Sequence, residues 1–174
     1  MRLATLQNGH IHDFYVLNNG APKASALIGR NMRIRTHWTN SDTATSAWTP
    51  NSAGTHYTQV QEGSAGVGHD GGATYLSAGA ANLQDLIGID SATGLYSANE
   101  IPLGTQVTAV ARLAGGTPNL SLFLELSGTT VSHVTTSAVS SDFFCHRAIF
   151  MSAPGGVSLT VARIDAINVG IESA

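Results

Sequence analysis

Ile101-Pro-Leu-Gly-Thr-Gln-Val-Thr-Ala-Val-Ala-Arg-Leu113, a break at Ala114-Gly-Gly-Thr-Pro-Asn119, and then Leu120-Ser-Leu-Phe-Leu-Glu-Leu126 is the stretch that decides the fold. In its first half Val107, Ala109, Ala111 and Leu113 share one parity, and Gln106, Thr108 and Arg112 share the other. In its second half Leu120, Leu122, Leu124 and Leu126 alternate with Ser121, Phe123 and Glu125. A period of two puts alternate side chains on opposite faces, which is the pattern of a half-buried strand. Gly-Gly-Thr-Pro-Asn is loop chemistry, because glycine accepts positive φ and proline lacks an N–H. The two halves are therefore expected to be adjacent antiparallel strands of one sheet.

The same reading extends in both directions. Strands are expected at Arg2–Gln7, Asp13–Leu17, Ser25–Trp38, Tyr57–Val60, Ala73–Leu76, Val131–Val139, Phe144–Met151 and Ile167–Glu172. Ala81–Ile89 fits a strand or one helical turn, and Leu159–Ile164 a short helical turn. Residues 39–54 are polar and read as an ordered loop fastened by Trp48. No stretch sustains a 3.6-residue period, so helix is expected only in short turns. Short strands separated by turn signals predict an all-β antiparallel sandwich, jelly-roll-like, as a single domain over residues 1–174.

At 174 residues the chain can bury a substantial core. Charged residues make up only 11% of it, against roughly 25% in an ordinary soluble domain. Lys23 is the one lysine. A surface of small neutral groups suits close packing against neighbouring protein better than a solitary life in solution. The net charge of −3 gives no basic footprint for nucleic acid. No signal peptide or membrane-length apolar run is expected from the sequence. The single Cys145 excludes an intrachain disulfide and a cysteine-rich metal cage, and its apolar setting predicts a buried thiol.

Candidate chemistry is sparse. Gly66-Val-Gly-His-Asp-Gly71 has the spacing of a dinucleotide fingerprint, with Asp90 downstream, but strand-like Ala73-Thr-Tyr-Leu76 follows where a helix is required. A flexible loop without nucleotide is expected. His10 and His12 share a face if that segment is a strand, yet a metal needs three or four converging ligands. His69 and His146 add none at a useful spacing. The nucleophile elbow Gly-x-Ser-x-Gly is absent, Gly63-Ser-Ala-Gly66 being one residue short. No catalytic, cofactor or metal residues are therefore assigned, and no enzyme is expected. Trp38, Trp48 and Tyr96 are the candidates for sugar contact, with loop anchoring as their competing role. Arg30, Arg33 and Arg35 form the only basic cluster, with Arg33 and Arg35 on one face of a strand. They suit pairing with carboxylates of a neighbouring subunit, or with Asp13 or Asp42 of the same chain.

Across residues 48–172 the chain carries, in order, Trp48-Thr-Pro-x-x-x-Gly54, Tyr57-x-x-Val60-x-Glu62, Thr74-Tyr-Leu76, Val107-x-Ala-x-Ala-Arg112, Pro154-Gly-Gly156 and Ile164-Asp-Ala-x-x-Val-Gly170-Ile-Glu172. This order of motifs resembles a class of tailed-bacteriophage virion structural proteins with a β-sandwich domain. Related sequences often have Trp-Thr after the Pro-Gly turn, where this chain has Leu159-Thr160. Residues 1–47 fall outside the pattern and are expected to be an attachment or assembly segment. The resemblance implies self-assembly without catalysis or cofactor, at the outer surface of the capsid or on the tail. The expected role is head decoration, as a homotrimer bound to the major capsid protein or other virion proteins. The alternatives are a tail or fibre component contacting host glycans and, more remotely, a sandwich hydrolase.

Overall fold

The computed structural model describes residues 34–61, 72–97, 100–114, 119–136 and 141–174. Thr36–Ala174 forms one compact unit, distinct from Met1–Arg35, and its strands are β1 (Thr39–Ser46), β2 (Thr49–Pro50), β3 (Leu76–Ser77), β4 (Gln84–Ile89), β5 (Thr105–Ala111), β6 (Leu120–Leu126), β7 (Thr129–Thr136), β8 (Phe144–Phe150) and β9 (Ile167–Ser173). Helix is confined to α1 (His56–Val60), a 3₁₀ turn at Pro154–Gly156 and α2 (Val161–Ile164). The unit is all-β and every strand pair is antiparallel.

Five strands form the main sheet in the order β1-β4-β9-β6-β7, while β2-β3 and β5-β8 are separate two-stranded ribbons. The expected β5–β6 hairpin is not formed. Thr105–Ala111 pairs with Phe144–Phe150 in seven consecutive steps, and Leu120–Leu126 lies between β9 and β7. The reason is that both edges of β6 are taken. Between β6 and β7 only Ser127 and Gly128 intervene, with φ of 51° and 83°. Two successive positive φ values match the right-handed twist of a tight hairpin, and glycine at the second accepts its value without strain. Glu125 stabilises this turn: its Oε1 accepts from the N–H of Gly128 and its Oε2 from Asn168 Nδ2 at 2.6 Å. The tight turn thus puts β7 on one edge of β6, while β9 takes the other from Leu120↔Ser173 to Leu126↔Ile167, which leaves no edge for β5.

Burial on β6 departs from the half-buried reading. Leu120, Leu122 and Leu124 are buried on one face, and Ser121, Phe123 and Glu125 are buried on the other. Leu122 stands opposite Ile171 and Leu124 opposite Val169, so the first face joins β9 in the core. That core combines them with Ala148 and Phe150 of β8, Leu159, and Ile164 and Ile167 around α2, with Val107, Ala109 and Ala111 of β5 packed against it. The ribbon therefore covers part of one face of the main sheet.

Further departures have local causes. The polar run Thr39–Ser46, expected as a loop, is an edge strand held to β4 with two breaks in register and by Thr43 Oγ1 donating to Leu86 O at 2.9 Å. Trp48 does fasten the segment that follows, its Nε1–H donating to Leu83 O at 2.9 Å. Tyr57–Val60, expected as a strand, lies in α1 because the Asp42 carboxylate accepts from the N–H groups of His56 and Tyr57 at 3.0 and 2.7 Å. Those N–H groups are unpaired within any helix, so a carboxylate there favours the helical turn. Ile34–Trp38 is not strand, and Cys145 is exposed rather than buried.

Candidate functional site

The β5–β8 ribbon shows two unlike faces. Its inward parity, Val107, Ala109, Ala111, Ala148 and Phe150, belongs to the core. Its outward parity pairs Gln106 with Ile149, Thr108 with Arg147 and Val110 with Cys145. Val110 is 49% exposed, Ile149 60% and Met151 72%, with Ile101 at 77% and Leu103 at 46% on the approach to β5. Gly104 lies against Met151: a Cβ placed there would stand 3.2 Å from its Sδ. Ile149 and Met151 thus lie at the end of the ribbon where β5 begins and β8 finishes, with Leu103 next to Gly104 in the segment that enters β5. A grouped set of large exposed apolar side chains marks a contact surface, whereas isolated ones do not. Sequence parity alone could not find it, since it becomes one surface only when β5 pairs with β8.

Two histidine–carboxylate clusters lie elsewhere. Ahead of β1, His37 Nδ1 is 3.0 Å from Asp90 Oδ1, which also accepts from Trp38 N–H at 3.0 Å. His37 Nε2 is 3.1 Å from the Tyr96 hydroxyl. Nδ1–H is placed to donate to the carboxylate, while Nε2 meets the phenol hydroxyl, which can donate or accept. The order acid, imidazole, hydroxyl has the form of a relay, but each bond here joins the entry to β1, the exit of β4 and the loop beyond. Asp165 extends the clasp, accepting from Ser91 Oγ at 2.8 Å and Ala92 N–H at 2.7 Å. These bonds hold its carboxyl below the usual carboxylate range.

Under α1, His56 Nδ1 is 2.8 Å from Asp85 Oδ2. Asp85 is fully buried, and its Oδ1 has no hydrogen-bond partner among the described residues. Burial pushes this carboxyl above its ordinary pKa, outweighing the His56 bond and charge, and nearby Asp42 adds to the rise. Between the ordinary carboxylate value and Asp85's raised one, the folded chain holds a proton that the unfolded chain has lost. Stability from this group therefore falls as pH rises through that window. Asp85→Asn keeps an acceptor for His56 and removes the ionisation. The expected result is that wild type loses stability relative to the variant as pH rises through the window, read from urea midpoints at several pH values. Parallel pH profiles would contradict it. Asp165 titrates in the opposite sense in both proteins and so cancels.

The other candidates resolve as follows. Trp48 and Tyr96 are committed to Leu83 and His37 and pack against the core. Trp38 is half-buried beside Asp90. Arg35 is half-buried, while Arg30 and Arg33 lie outside the described residues. The Asp42 carboxylate, one proposed partner of those arginines, is occupied by α1. His10, His12, His69 and most of Gly63–Gly72 also lie outside the described residues, as does Ser25–Arg33. Among the described residues no group of three or more His, Cys, Asp or Glu is placed to hold a metal. No described helix is long and apolar enough to cross a membrane. His37, His56 and Asp85 escaped the sequence reading because each meets its partner across the fold, with no shared motif. Comparison of the chain with protein-family models, curated proteins and solved structures finds no match.

Proposed function

We propose that this chain is a non-catalytic structural protein that works by packing against other protein. The observation that carries the reading is the outer face of the β5–β8 ribbon, where Ile149 and Met151 stand exposed at the end at which β5 begins, near Leu103, and Val110 stands exposed on the same face towards the other end. The low charge of the whole chain supports it, because a surface with few charges loses little hydration when it is buried against a neighbour. Together with the motif order over residues 48–172, this favours a virion protein of a tailed phage. Its role is head decoration, bound to the capsid lattice from outside through the major capsid protein and through copies of itself. No cofactor, nucleic acid or membrane enters this role. The glycan-binding tail component is less favoured, since Trp48 and Tyr96 are engaged in loop anchoring and in the His37 clasp.

The test is location and dependence on that face. The labelled chain, added to particles that lack it, is expected to be imaged in many copies over the head. Ile149→Lys with Met151→Lys is expected to lower occupancy at least tenfold, about 1.4 kcal/mol or more of binding, with the circular dichroism spectrum unchanged. A few copies at the tail would favour the alternative component, and no binding would overturn the reading.

A further inference from the structure

We propose that the open edge of β5 is where two copies of this chain join, strand against strand about a two-fold axis. The inference rests on the self-assembly part of the reading above, and not on the virion. Along one edge β5 pairs with β8 from Thr105↔Phe150 to Ala111↔Phe144 without a register break. Along its other edge it has no strand neighbour among the described residues. An open edge presents a row of unpaired N–H and C=O groups, and lone proteins guard such edges with charge, proline, bulges or brevity.

The other edges of this unit carry such guards. β1 has two register breaks and Asp42, and β7 faces a register break opposite Leu122–Leu124. β2 and β3 are two residues long, with Pro50 in one of them. β8 bears Arg147. Thr105-Gln-Val-Thr-Ala-Val-Ala111 has no charge, no proline, no glycine and no break. β-Branched residues occupy four of its seven positions, which favours extended pairing. An edge left in this state is suited to being covered.

A second copy is the occupant that fits. An antiparallel edge is complementary to itself, because N–H and C=O alternate along it and a two-fold axis matches donor to acceptor. The outward residues Gln106, Thr108 and Val110 carry no charge by which an unlike partner would be selected. Pairing would also continue the apolar face: the two ribbons become one four-stranded sheet, carrying Val110 and Ile149 from each copy. A two-fold join gives a dimer in place of the homotrimer expected with the head-decoration role.

The experiment measures the mass of the full chain by light scattering. Wild type is expected as a dimer, and Thr108→Lys with Val110→Lys as a monomer with unchanged circular dichroism and melting. The control Thr93→Lys, a single lysine in an exposed loop, is expected to stay dimeric. In a Cys145→Ser background, cysteine placed singly at 106, 108 and 110 is expected to give a disulfide-linked dimer at the position nearest the axis, and none at 93. The cross-link decides the matter if the lysine variant fails to fold. A monomeric wild type, or a dimer that survives both lysines without cross-linking at any of the three positions, overturns the proposal. If that same protein still decorates particles, the structural-protein reading stands without it.

Discussion

Leu122→Asp is expected to yield no soluble folded protein. Leu122 is wholly buried on β6, opposite Ile171 of β9, within the cluster that includes Leu120, Leu124, Phe150 and Ile164. Losing such a leucine alone costs about 2–5 kcal/mol, as Leu122→Ala should show by its urea midpoint. Aspartate adds a carboxylate with no partner among apolar side chains, costing several kcal/mol more or forcing the group to stay protonated. The sum approaches the roughly 5–15 kcal/mol by which a whole domain is stable. Soluble aspartate variant with a wild-type spectrum would mean that this face of β6 does not face the core.

The second large effect is at Gly170. It stands opposite Phe123 at the centre of the β9–β6 pair, and a Cβ placed there would lie 2.2 Å from the ring. The ring is fully buried, so it has nowhere to retreat. Glycine is therefore required by close approach, the Phe123 ring filling the space that a side chain would take. Gly170→Ala is expected to cost about 1–3 kcal/mol by overpacking, and Gly170→Val more. Phe123→Leu should relieve part of the alanine penalty, so the double variant is expected to be more stable than the sum of single effects predicts. Strict additivity in denaturant unfolding would show that the ring and the added methyl do not meet.

Much of the fold was legible because strands leave a local signature. β6, β8, β9 and α2 fall within a few residues of where alternation and turn chemistry put them. Pairing was harder to read, since it depends on which strands take each edge. Ser127-Gly128 closes β6 onto β7 and β9 takes the other edge of β6, so no edge is left for β5. The alternation of β6 was real but its meaning was not, because Ser121, Phe123 and Glu125 are buried as well. Glu125 is tolerated there through Gly128 and Asn168, a satisfaction that local pattern cannot display. β1 was invisible for the opposite reason: Thr39–Ser46 has no apolar face, and its hold on β4 comes from backbone pairing and Thr43. The contact surface was half legible. Low charge is a property of the sequence, whereas Ile149 and Val110 come to one face only through the β5–β8 register.

The proposed role depends on that face, and one measurement tests it most directly: occupancy of particles by the Ile149→Lys, Met151→Lys variant, with its thermal melting recorded alongside. Both side chains are largely exposed, so melting is expected to match wild type while occupancy falls at least tenfold. Full occupancy by a normally folded variant would contradict the claim that the outer face of the β5–β8 ribbon is the working surface of this protein.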